Sequence, residues 1–416
     1  MFIILANNIE SRILIFVAVI LSNPTHISKI KFVQSIAACA VAGGLVLGHF
    51  PAFMSVGAIL LCACGILLNT SKDWRNTIFI AFALFWLWQL ISGFWCDDIS
   101  GWQAEVTRKI SFILIPAGLL VCTARLVKSI LITFCLAVLL VAILSVGNYF
   151  IHYDEVNLQI TKSIGMPIIS QLSHIYFSIL NGLAALLCIH LWNLSNRKNI
   201  FWIVASIILI ICLHILSSRT GLVAFYITSF LLLIQLVIVK KRWKMALLIG
   251  ITALLLPVAG YYTTTSFRNR IDNTVEDMDH YFNGKYLNYY SISMRFEAWK
   301  ICGYIFEKHP IIGVGVSDLP NAMTKEYDAK KIQNEVRIYE AHNQYLEQLA
   351  DLGIIGFLTL IFILYTIVKG RGSSFWVVSV LGMFATAFLF ESVLESHNGI
   401  AAFALFGTLV VASKKL

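Results

Sequence analysis

Charged residues are scarce in this sequence. Asp, Glu, Lys and Arg make up 13% of the 416 residues, hydrophobic residues make up 59%, and the mean hydropathy is +0.81. A typical soluble domain carries about 25% charged residues, so a soluble protein is excluded. Many apolar runs approach the roughly 20 residues that a membrane-crossing helix needs, and they lack the alternation of a membrane strand. The sequence therefore predicts an all-α polytopic membrane protein.

The cysteines lack the pattern of a disulfide framework. Cys62 and Cys64 have no second pair of ligands nearby, so we expect no metal site there. Cys96 and Cys302 fall in predicted polar segments, and one disulfide between them is possible. The other cysteines lie in apolar runs together with Cys62 and Cys64, as small hydrophobic residues do: Cys39, Cys122, Cys135, Cys188 and Cys212.

We also expect no cleavable signal peptide, and we find no internal repeat or low-complexity tract. The first apolar run, 13–21, is short and has no small-residue cleavage site before Asn23 and Pro24. Residues 1–22 are a weak candidate for an extra span. An interfacial helix or a re-entrant segment is equally open for them.

Apolar runs of spanning length occur along most of the chain, and we predict about twelve membrane spans. Their approximate limits are 32–48, 52–69, 76–95, 110–123, 129–151, 171–192, 199–217, 219–239, 244–262, 346–369, 374–390 and 398–413.

The net charge of +9 does not indicate nucleic acid as a partner, because the basic residues cluster in short breaks between apolar runs. Loops rich in Lys and Arg stay in the cytoplasm. One set of alternate breaks is rich in such residues, and the opposite set holds only Arg108, Lys109, Lys162 and Arg219. The rich set consists of Lys29, Lys31, Lys72, Arg75, Arg125, Lys128, Arg197, Lys198, Lys240, Lys241, Arg242, Lys244, Lys369, Arg371, Lys414 and Lys415.

This orientation places a long polar segment on the periplasmic side. We predict an N-terminal helix bundle (1–262), a large periplasmic loop (263–342) and C-terminal membrane helices (343–416). A structureless loop of that length is improbable. Its stretch Ser291–Phe306 has the spacing of an amphipathic helix, with Ile292, Phe296, Trp299, Gly303 and Phe306 on one stripe.

Three side chains could form one site at the outer membrane boundary. Arg219 and His342 both stand at that boundary, and Arg295 lies on the segment that leads to His342. Two guanidinium groups can grip a diphosphate through bidentate bonds. A neutral histidine can accept a proton from an attacking hydroxyl. Aromatic side chains of the loop could stack on sugar rings.

Structural interpretations of the same residues stay open. Arg219 could extend to lipid phosphates, Arg295 could stack on Trp299, and His342 could bond backbone groups at a helix start. Gly313-Val-Gly315 is typical of a tight turn rather than a nucleotide site.

Other polar residues also have a purely structural interpretation. The acidic run of the loop is typical of a solvated face, and histidines and an asparagine within spans are typical of helix–helix contacts. Asp97, Asp98 and Glu105 could line the site or form local ion pairs. The acidic run is Asp272, Glu276, Asp277 and Asp279, and the residues within spans are His174, Asn181, His190 and His214.

Four sequence words resemble the O-antigen ligase / Wzy-type polymerase superfamily of bacterial membrane glycosyltransferases. They are Ser-Ser-Arg-Thr-Gly at 217–221, Ser-Met-Arg-Phe-Glu-Ala-Trp at 293–299, His-Pro-Ile-Ile-Gly-Val-Gly at 309–315 and Ala-His-Asn-Gln-Tyr-Leu-Glu at 341–347. Gly353-Ile-Ile-Gly356 follows them. The resemblance covers about 200–410, and the N-terminal half is similar only in hydropathy.

The resemblance implies a GT-C-like, metal-independent, inverting transferase without a cofactor, which moves a glycan from undecaprenyl diphosphate to an acceptor hydroxyl at the periplasmic face of the bacterial inner membrane. It implies Arg219 and Arg295 as diphosphate ligands and His342 as the residue that activates the acceptor. Possible supporting residues are Ser218, Trp299, Asn343 and Tyr345.

Two versions of this function are possible. An O-antigen ligase uses a lipid A–core acceptor, and a Wzy-type polymerase of O-antigen, capsule or exopolysaccharide uses another repeat unit. A flippase or transporter for a lipid-linked glycan is an alternative of another class, but it predicts two related halves with broken helices, which the sequence lacks. Membrane lipids are the other expected partners, and a monomer is the simplest expectation.

Overall fold

The computed structural model describes residues 24–48, 51–69, 76–159, 166–195, 199–283, 291–330, 337–371 and 374–412. Within these ranges every regular element is helical and no strand occurs. The weak candidate span at 1–22 lies outside the described residues. Cys96 and Cys302 are both free thiols, so the possible disulfide is not formed.

Most helices follow the predicted apolar runs in order, two short helices lie between runs, and three helices lie in the polar segment. Two 3-10 turns, Ser92–Phe94 and Val393–Glu395, lie between them. The α-helices are α1 (Pro24–Gly44), α2 (Pro51–Leu68), α3 (Thr77–Ile91), α4 (Ile99–Arg108), α5 (Ser111–Gly118), α6 (Ala124–Ile151), α7 (Tyr153–Gln159), α8 (His174–Leu194), α9 (Phe201–Leu216), α10 (Arg219–Ile238), α11 (Trp243–Thr263), α12 (Thr265–Phe282), α13 (Ser291–Lys308), α14 (Leu319–Ala329), α15 (Gln344–Arg371), α16 (Phe375–Phe390) and α17 (His397–Ala412).

Six of these segments are long and apolar enough to cross a membrane, so the described chain has the character of a polytopic membrane protein. They are Thr77–Phe94, Ala124–Ile151, His174–Leu194, Arg219–Ile238, Trp243–Thr263 and Gln344–Gly370. Four shorter apolar helices are Ala52–Leu68, Phe201–Leu216, Phe375–Phe390 and His397–Ala412.

The predicted span 110–123 differs most from the structure. Its helix α5 has eight residues, about 12 Å of helix, whereas a hydrocarbon core is about 30 Å thick. The Gln34 amide donates to the carbonyls of Gly118 and Val121, both at 2.9 Å. The last carbonyl of α5 and that of Val121 just beyond it are therefore satisfied by a neighbouring helix. The count of twelve spans stays a prediction.

Aromatic packing joins α3 and α5 to the last two helices, α16 and α17. Phe82 of α3 stacks on Phe112 of α5 and meets Phe403 of α17 edge-on, with ring centroids 5.5 and 5.7 Å apart. Phe403 also packs on Phe384 and Phe388 of α16. Because lipid tails are as apolar as these rings, close packing rather than water exclusion stabilises the contacts. This core holds α16, whose C-terminal end lies at the candidate site.

The amphipathic helix predicted at Ser291–Phe306 is observed as α13. Its fully buried positions include Ala298, Ile301 and Ile305, which form a small core with α14. The predicted stripe is a different face. Phe296 and Trp299 on that stripe are half-buried and line a groove described below.

The two glycine words pack on each other through their backbones. Val314 N donates to Ala350 O (3.0 Å) and Gly315 N to Asp351 O (2.8 Å), while Ile354 N donates to Pro310 O (2.9 Å). Gly353 interrupts α15 with a φ of 65°. A Cβ there would overlap the Ile311 carbonyl. The Gly-Val-Gly segment is therefore a tight turn, as predicted. Its backbone bonds attach the polar segment to α15 at the break in that helix.

Candidate functional site

Residues from five chain segments line one polar cavity of about 230 Å³, which we call the polar cavity. It includes Arg219, Arg295 and His342, the three residues singled out from the sequence. The structure therefore brings them together although they are far apart in the chain. The full lining is His174, Ile175, Ser218, Arg219, Thr220, Arg270, Ser291, Met294, Arg295, Ile338 and His342.

Arg219 is the first residue of α10 and enters the cavity from a tight turn. Ser217 ends α9 in the left-handed region, with a φ of 51°. Ser218 Oγ lies 2.9 Å from Ser178 Oγ of α8, and a Cβ at Gly221 would overlap the same serine. The Ser-Ser-Arg-Thr-Gly word thus packs closely on α8, and this packing fixes the position of Arg219 at the start of α10. The Arg219 Nε is buried and has no hydrogen-bond partner among the described residues.

Arg295 lies near the start of α13, and a carboxylate orients that start. Asp277 of α12 accepts hydrogen bonds from Ile292 N (2.7 Å) and Ser293 N (3.1 Å), which caps the helix. The Arg295 guanidinium donates to Ser291 Oγ (2.7 Å) and Glu391 Oε2 (3.2 Å). Its buried Nε has no partner in the described part of the chain. The Arg295 side chain is therefore held in place by Ser291 and Glu391 at the edge of the cavity.

His342 occupies the turn before α15, with a φ of 46°. Its Nδ1 lies 2.8 Å from Glu391 Oε1. An ionised carboxylate only accepts hydrogen bonds, so in the neutral form of the ring Nδ1 carries the proton and Nε2 is an acceptor. The side chain is 25% exposed. This geometry is that of a base whose tautomer a carboxylate fixes.

The residues next to His342 hold its turn in place. Asn343 Oδ1 accepts from Tyr345 N (3.0 Å) and Leu346 N (3.1 Å), and its amide donates to Leu389 O (3.0 Å). The Tyr345 hydroxyl donates to Ala385 O (3.0 Å). Asn343 and Tyr345 thus serve as helix cap and anchor.

Trp299 ties α13 to the same turn. Its Nε1 donates to the carbonyl of Ala341, the residue before His342, at 2.9 Å. Arg295 lies one helix turn before Trp299, and His342 directly follows Ala341. The Trp299 hydrogen bond therefore fixes the two side chains relative to each other.

Glu391 is the first of two residues that the sequence analysis missed. It is 3% exposed and bonds both His342 and Arg295. Burial alone would raise the pKa of its carboxyl, but the hydrogen bond from His342 and the charges of His342 and Arg295 outweigh burial and lower it. The available signal was a lone acid at the end of the apolar run 374–390, where an unpaired charge is costly.

Arg270 of α12 is the second missed residue. It lines the polar cavity with Arg219 and Arg295. Burial, followed by the nearby charge of Arg295, lowers the pKa of its guanidinium. No motif marked it, because the position of α12 relative to the membrane helices cannot be predicted from a local pattern.

An apolar groove adjoins the polar cavity between α10 and α11. Its volume is about 570 Å³, and it shares Arg219, Arg270 and Arg295 with the polar cavity. A further cavity of about 760 Å³ continues between the same helices as far as Ile238 and Trp243. We call the two together the apolar groove. The arginines stand where polar and apolar surfaces meet.

A divalent cation has one candidate position in the described part of the chain. Ligand atoms of Glu340, His342 and Glu391 lie within 4.8 Å of one another. Both Glu391 oxygens already accept bonds from His342 and Arg295. A cation there would have to compete with these bonds.

The three acids that could line the site or form ion pairs lie away from the polar cavity. Asp98 caps α4 by accepting from Gly101 N (2.9 Å). The backbone N–H of Asp97 donates to Asp318 Oδ2 (2.6 Å). Glu105 pairs with Arg108 at 2.7 Å. None of these acids lines the polar cavity as described.

The acidic run of α12 also has local partners. Asp272 accepts from the Tyr261 hydroxyl, and Asp279 accepts from Asn283. Asp277, whose role at α13 is described above, is the exception to a merely solvated face.

The polar residues predicted to bind helices together divide into two groups. Asn181 donates to Leu209 O (3.1 Å), His214 lies 2.7 Å from the Tyr226 hydroxyl, and the His190 ring stacks on Trp376. These contacts join helices as predicted. His174 departs from the prediction, because it lines the polar cavity.

The comparison with known families agrees with the motif resemblance. The family model Wzy_C, described as O-antigen ligase, matches residues 204–361. No curated protein matches the chain. The family match contains Arg219, Arg270, Arg295 and His342 and ends before Glu391. This match supports the resemblance of residues 204–361 to the O-antigen ligase / Wzy-type polymerase superfamily.

Proposed function

We propose that this protein is a membrane glycosyltransferase that moves a glycan from a lipid diphosphate to an acceptor hydroxyl. The observation that carries the proposal is the meeting of Arg219, Arg295 and His342 on one cavity beside an apolar groove. The family match supports an enzyme of this general kind.

The donor would be an amphiphile, and the surfaces match its two parts. Arg219 and Arg295 present guanidinium donors suited to the oxygens of a diphosphate. The groove between α10 and α11 offers an apolar surface to a polyprenyl chain. α10 has 20 residues and is about 30 Å long, close to the thickness of a hydrocarbon core. Undecaprenyl diphosphate is the carrier we propose.

His342 would act as the general base. Its Nε2 accepts the proton of the acceptor hydroxyl while that oxygen attacks the anomeric carbon of the donor sugar. The new bond forms as the bond from the anomeric carbon to the phosphate oxygen breaks, and the electron pair leaves with the carrier diphosphate. A single displacement of this kind inverts the anomeric configuration. Glu391 stabilises the imidazolium that results.

The arginines would supply the charge that divalent cations supply in many diphosphate-using enzymes. Cationic donors placed at a developing negative charge lower the barrier by several kcal/mol, whether they are metal ions or side chains. We therefore propose a metal-independent reaction, with 263–342 facing the periplasm and the chain in the bacterial inner membrane.

The acceptor we propose is a hydroxyl of lipid A–core, as for an O-antigen ligase. A repeat-unit polymerase would use the same cavity. The two differ in what a deletion strain accumulates. Long glycan left on the lipid carrier indicates a ligase, and single repeats on the carrier indicate a polymerase.

The experiment that tests the chemistry uses the purified full chain with a lipid-diphosphate glycan and lipid A–core. We expect glycan transfer that continues in EDTA. A strict requirement for a divalent ion would contradict the metal-independent step and point to Glu340, His342 and Glu391 as ligands. Hydrolysis or transport of the donor without transfer would contradict the proposed function.

A further inference from the structure

One carboxylate oxygen of Glu347 joins the two turns that carry the proposed base and its carboxylate partner. Glu347 lies in the first turn of α15, and its side chain is buried. Its Oε2 accepts a hydrogen bond from Ala341 N (2.7 Å), and Ala341 directly precedes His342. The same oxygen accepts from Ser392 Oγ (2.7 Å), and Ser392 directly follows Glu391. Glu347 therefore holds the chain neighbours of both residues of the His342–Glu391 pair.

The turn 391–395, which follows α16, is also held at its far end. Gln344 of α15 accepts from Leu394 N (2.6 Å) and donates to Glu395 Oε1 (3.1 Å). Glu395 also pairs with the fully buried Lys109 at 2.5 Å. These bonds hold the far end of the turn on α15 independently of the end next to Glu391.

The backbone before α15 depends on an acceptor at this position. Ala341 is fully buried, and a buried N–H without an acceptor is unfavourable. His342 has a φ of 46°, a conformation that residues with a Cβ adopt only when their surroundings hold them in it. Loss of the Glu347 oxygen would leave the Ala341 N–H unpaired and allow this turn to shift.

A shift of either turn would act on the proposed base. His342 Nδ1 lies 2.8 Å from Glu391 Oε1. Such a charge-assisted bond weakens steeply with distance and misalignment. The imidazolium that forms when His342 accepts a proton would then be stabilised less.

We propose that Glu347 is a positioning residue that sets the distance between His342 and Glu391 before the substrates bind. This inference rests on the proposed function. Glu347 acts as a hydrogen-bond acceptor and not through its charge, so an amide oxygen at the same position can replace its carboxylate.

The test follows kcat and the acid limb of the kcat/KM profile for the purified full chain. For Glu347→Leu we expect kcat to fall about 10-fold to 100-fold, as for a small misplacement of a catalytic group, with the KM of the donor within about 3-fold. The acid limb should move to lower pH by about half a unit or more, because a displaced Glu391 stabilises the imidazolium less. The charged and titratable groups that share the polar cavity or a ligand cluster with His342 are kept in this variant: Glu340, Glu391, His174, Arg219, Arg270 and Arg295.

Two further variants are matched controls. Glu347→Gln removes the carboxylate and keeps an oxygen that can accept both bonds. We expect its kcat to stay within about 3-fold of that of the unchanged protein and its acid limb to stay within about 0.2 unit. Thr366 lies on the same helix, where its buried hydroxyl donates to the Ile363 carbonyl one turn earlier. Thr366→Val should leave both kcat and the acid limb unchanged.

A double variant separates positioning from a general loss of structure. If Glu347 acts through Glu391, Glu347→Leu should move the acid limb no further once Glu391→Gln is present. Hydrogen exchange of the peptide that contains Ala341 needs no turnover. It should be faster in Glu347→Leu and normal in Glu347→Gln. If Glu347→Leu does not fold, Ser392→Ala removes one of the two bonds and should give a smaller shift in the same direction.

The outcomes separate the inference from the proposed function. The positioning role would be overturned, and the proposed function left intact, by an unmoved acid limb or unchanged exchange at Ala341 in the variants that lose acceptor bonds. An equal shift in Glu347→Gln, or a further shift in the double variant, would overturn it as well. Absence of transfer by the unchanged protein would overturn both. A lower acid limb confined to the variants that lose these bonds supports the inference.

Discussion

Glu391 connects the two side chains that the proposed reaction uses for different tasks. One oxygen accepts from His342 and the other from Arg295. Folding lowers the pKa of this carboxyl. Its interactions therefore stabilise the fold at pH values above the usual pKa of a glutamate, and this stabilisation is lost as the pH falls through the lowered pKa. Around neutral pH the carboxylate is therefore ionised, and it can hold the proton of His342 on Nδ1.

Glu391→Gln should therefore retain the fold and lose most of the activity. We expect kcat to fall by about 100-fold, because an amide can present its N–H to the ring and leave the wrong tautomer. The acid limb of the kcat/KM profile should move to lower pH, since the imidazolium loses its carboxylate. Glu297→Gln is a control on α13, where the side chain pairs with Lys300. Equal pH profiles for the Glu391 variant and the unchanged protein would contradict this role.

At the scale of elements, the break in α15 explains how the polar segment is attached to the bundle. Gly353 has a φ of 65°, which strains any residue with a Cβ, and the Ile311 carbonyl fills the space beside it. The contact lies nine residues after Gln344, where α15 begins next to His342. A shift of this contact would move the turn that carries the proposed base.

Gly353→Ala should destabilise the protein by about 2 kcal/mol or more and lower transfer activity. Gly303→Ala is the matched control, because it lies within α13 with no atom within 4 Å of an added Cβ. There we expect a small stabilisation of about 0.5–1 kcal/mol. Thermal unfolding in detergent and the transfer assay measure both effects. A Gly353 variant as stable as the Gly303 variant would show that the contact is dispensable.

The sequence predicted the helices better than their roles. Hydropathy located the membrane helices because apolar runs must be helical in lipid. It overestimated the segment 110–123, because it does not register that Gln34 satisfies the carbonyls at the end of α5. The spacing identified α13, but the burial of its faces depends on α14 and on the groove, which no local pattern contains.

At the scale of the whole molecule, the site combines residues within the family match, from Arg219 to His342, with Glu391, which lies beyond the match. Arg219, Arg295 and His342 were predicted because each belongs to a recognisable word. Arg270 and Glu391 were not, because their proximity to those words is a result of tertiary packing alone. Hydrogen bonds of Glu391 with His342 and Arg295, and of Trp299 with the carbonyl of Ala341, hold three of these distant segments together.

The most direct measurement of the central claim is transfer of glycan by purified single variants. We expect Arg219→Ala, Arg295→Ala and His342→Ala each to lose about 100-fold or more of kcat/KM with a lipid-diphosphate donor. Arg268→Ala and His309→Ala, at exposed positions of the polar segment, should transfer at the normal rate. Normal turnover by all three cavity variants would contradict the account.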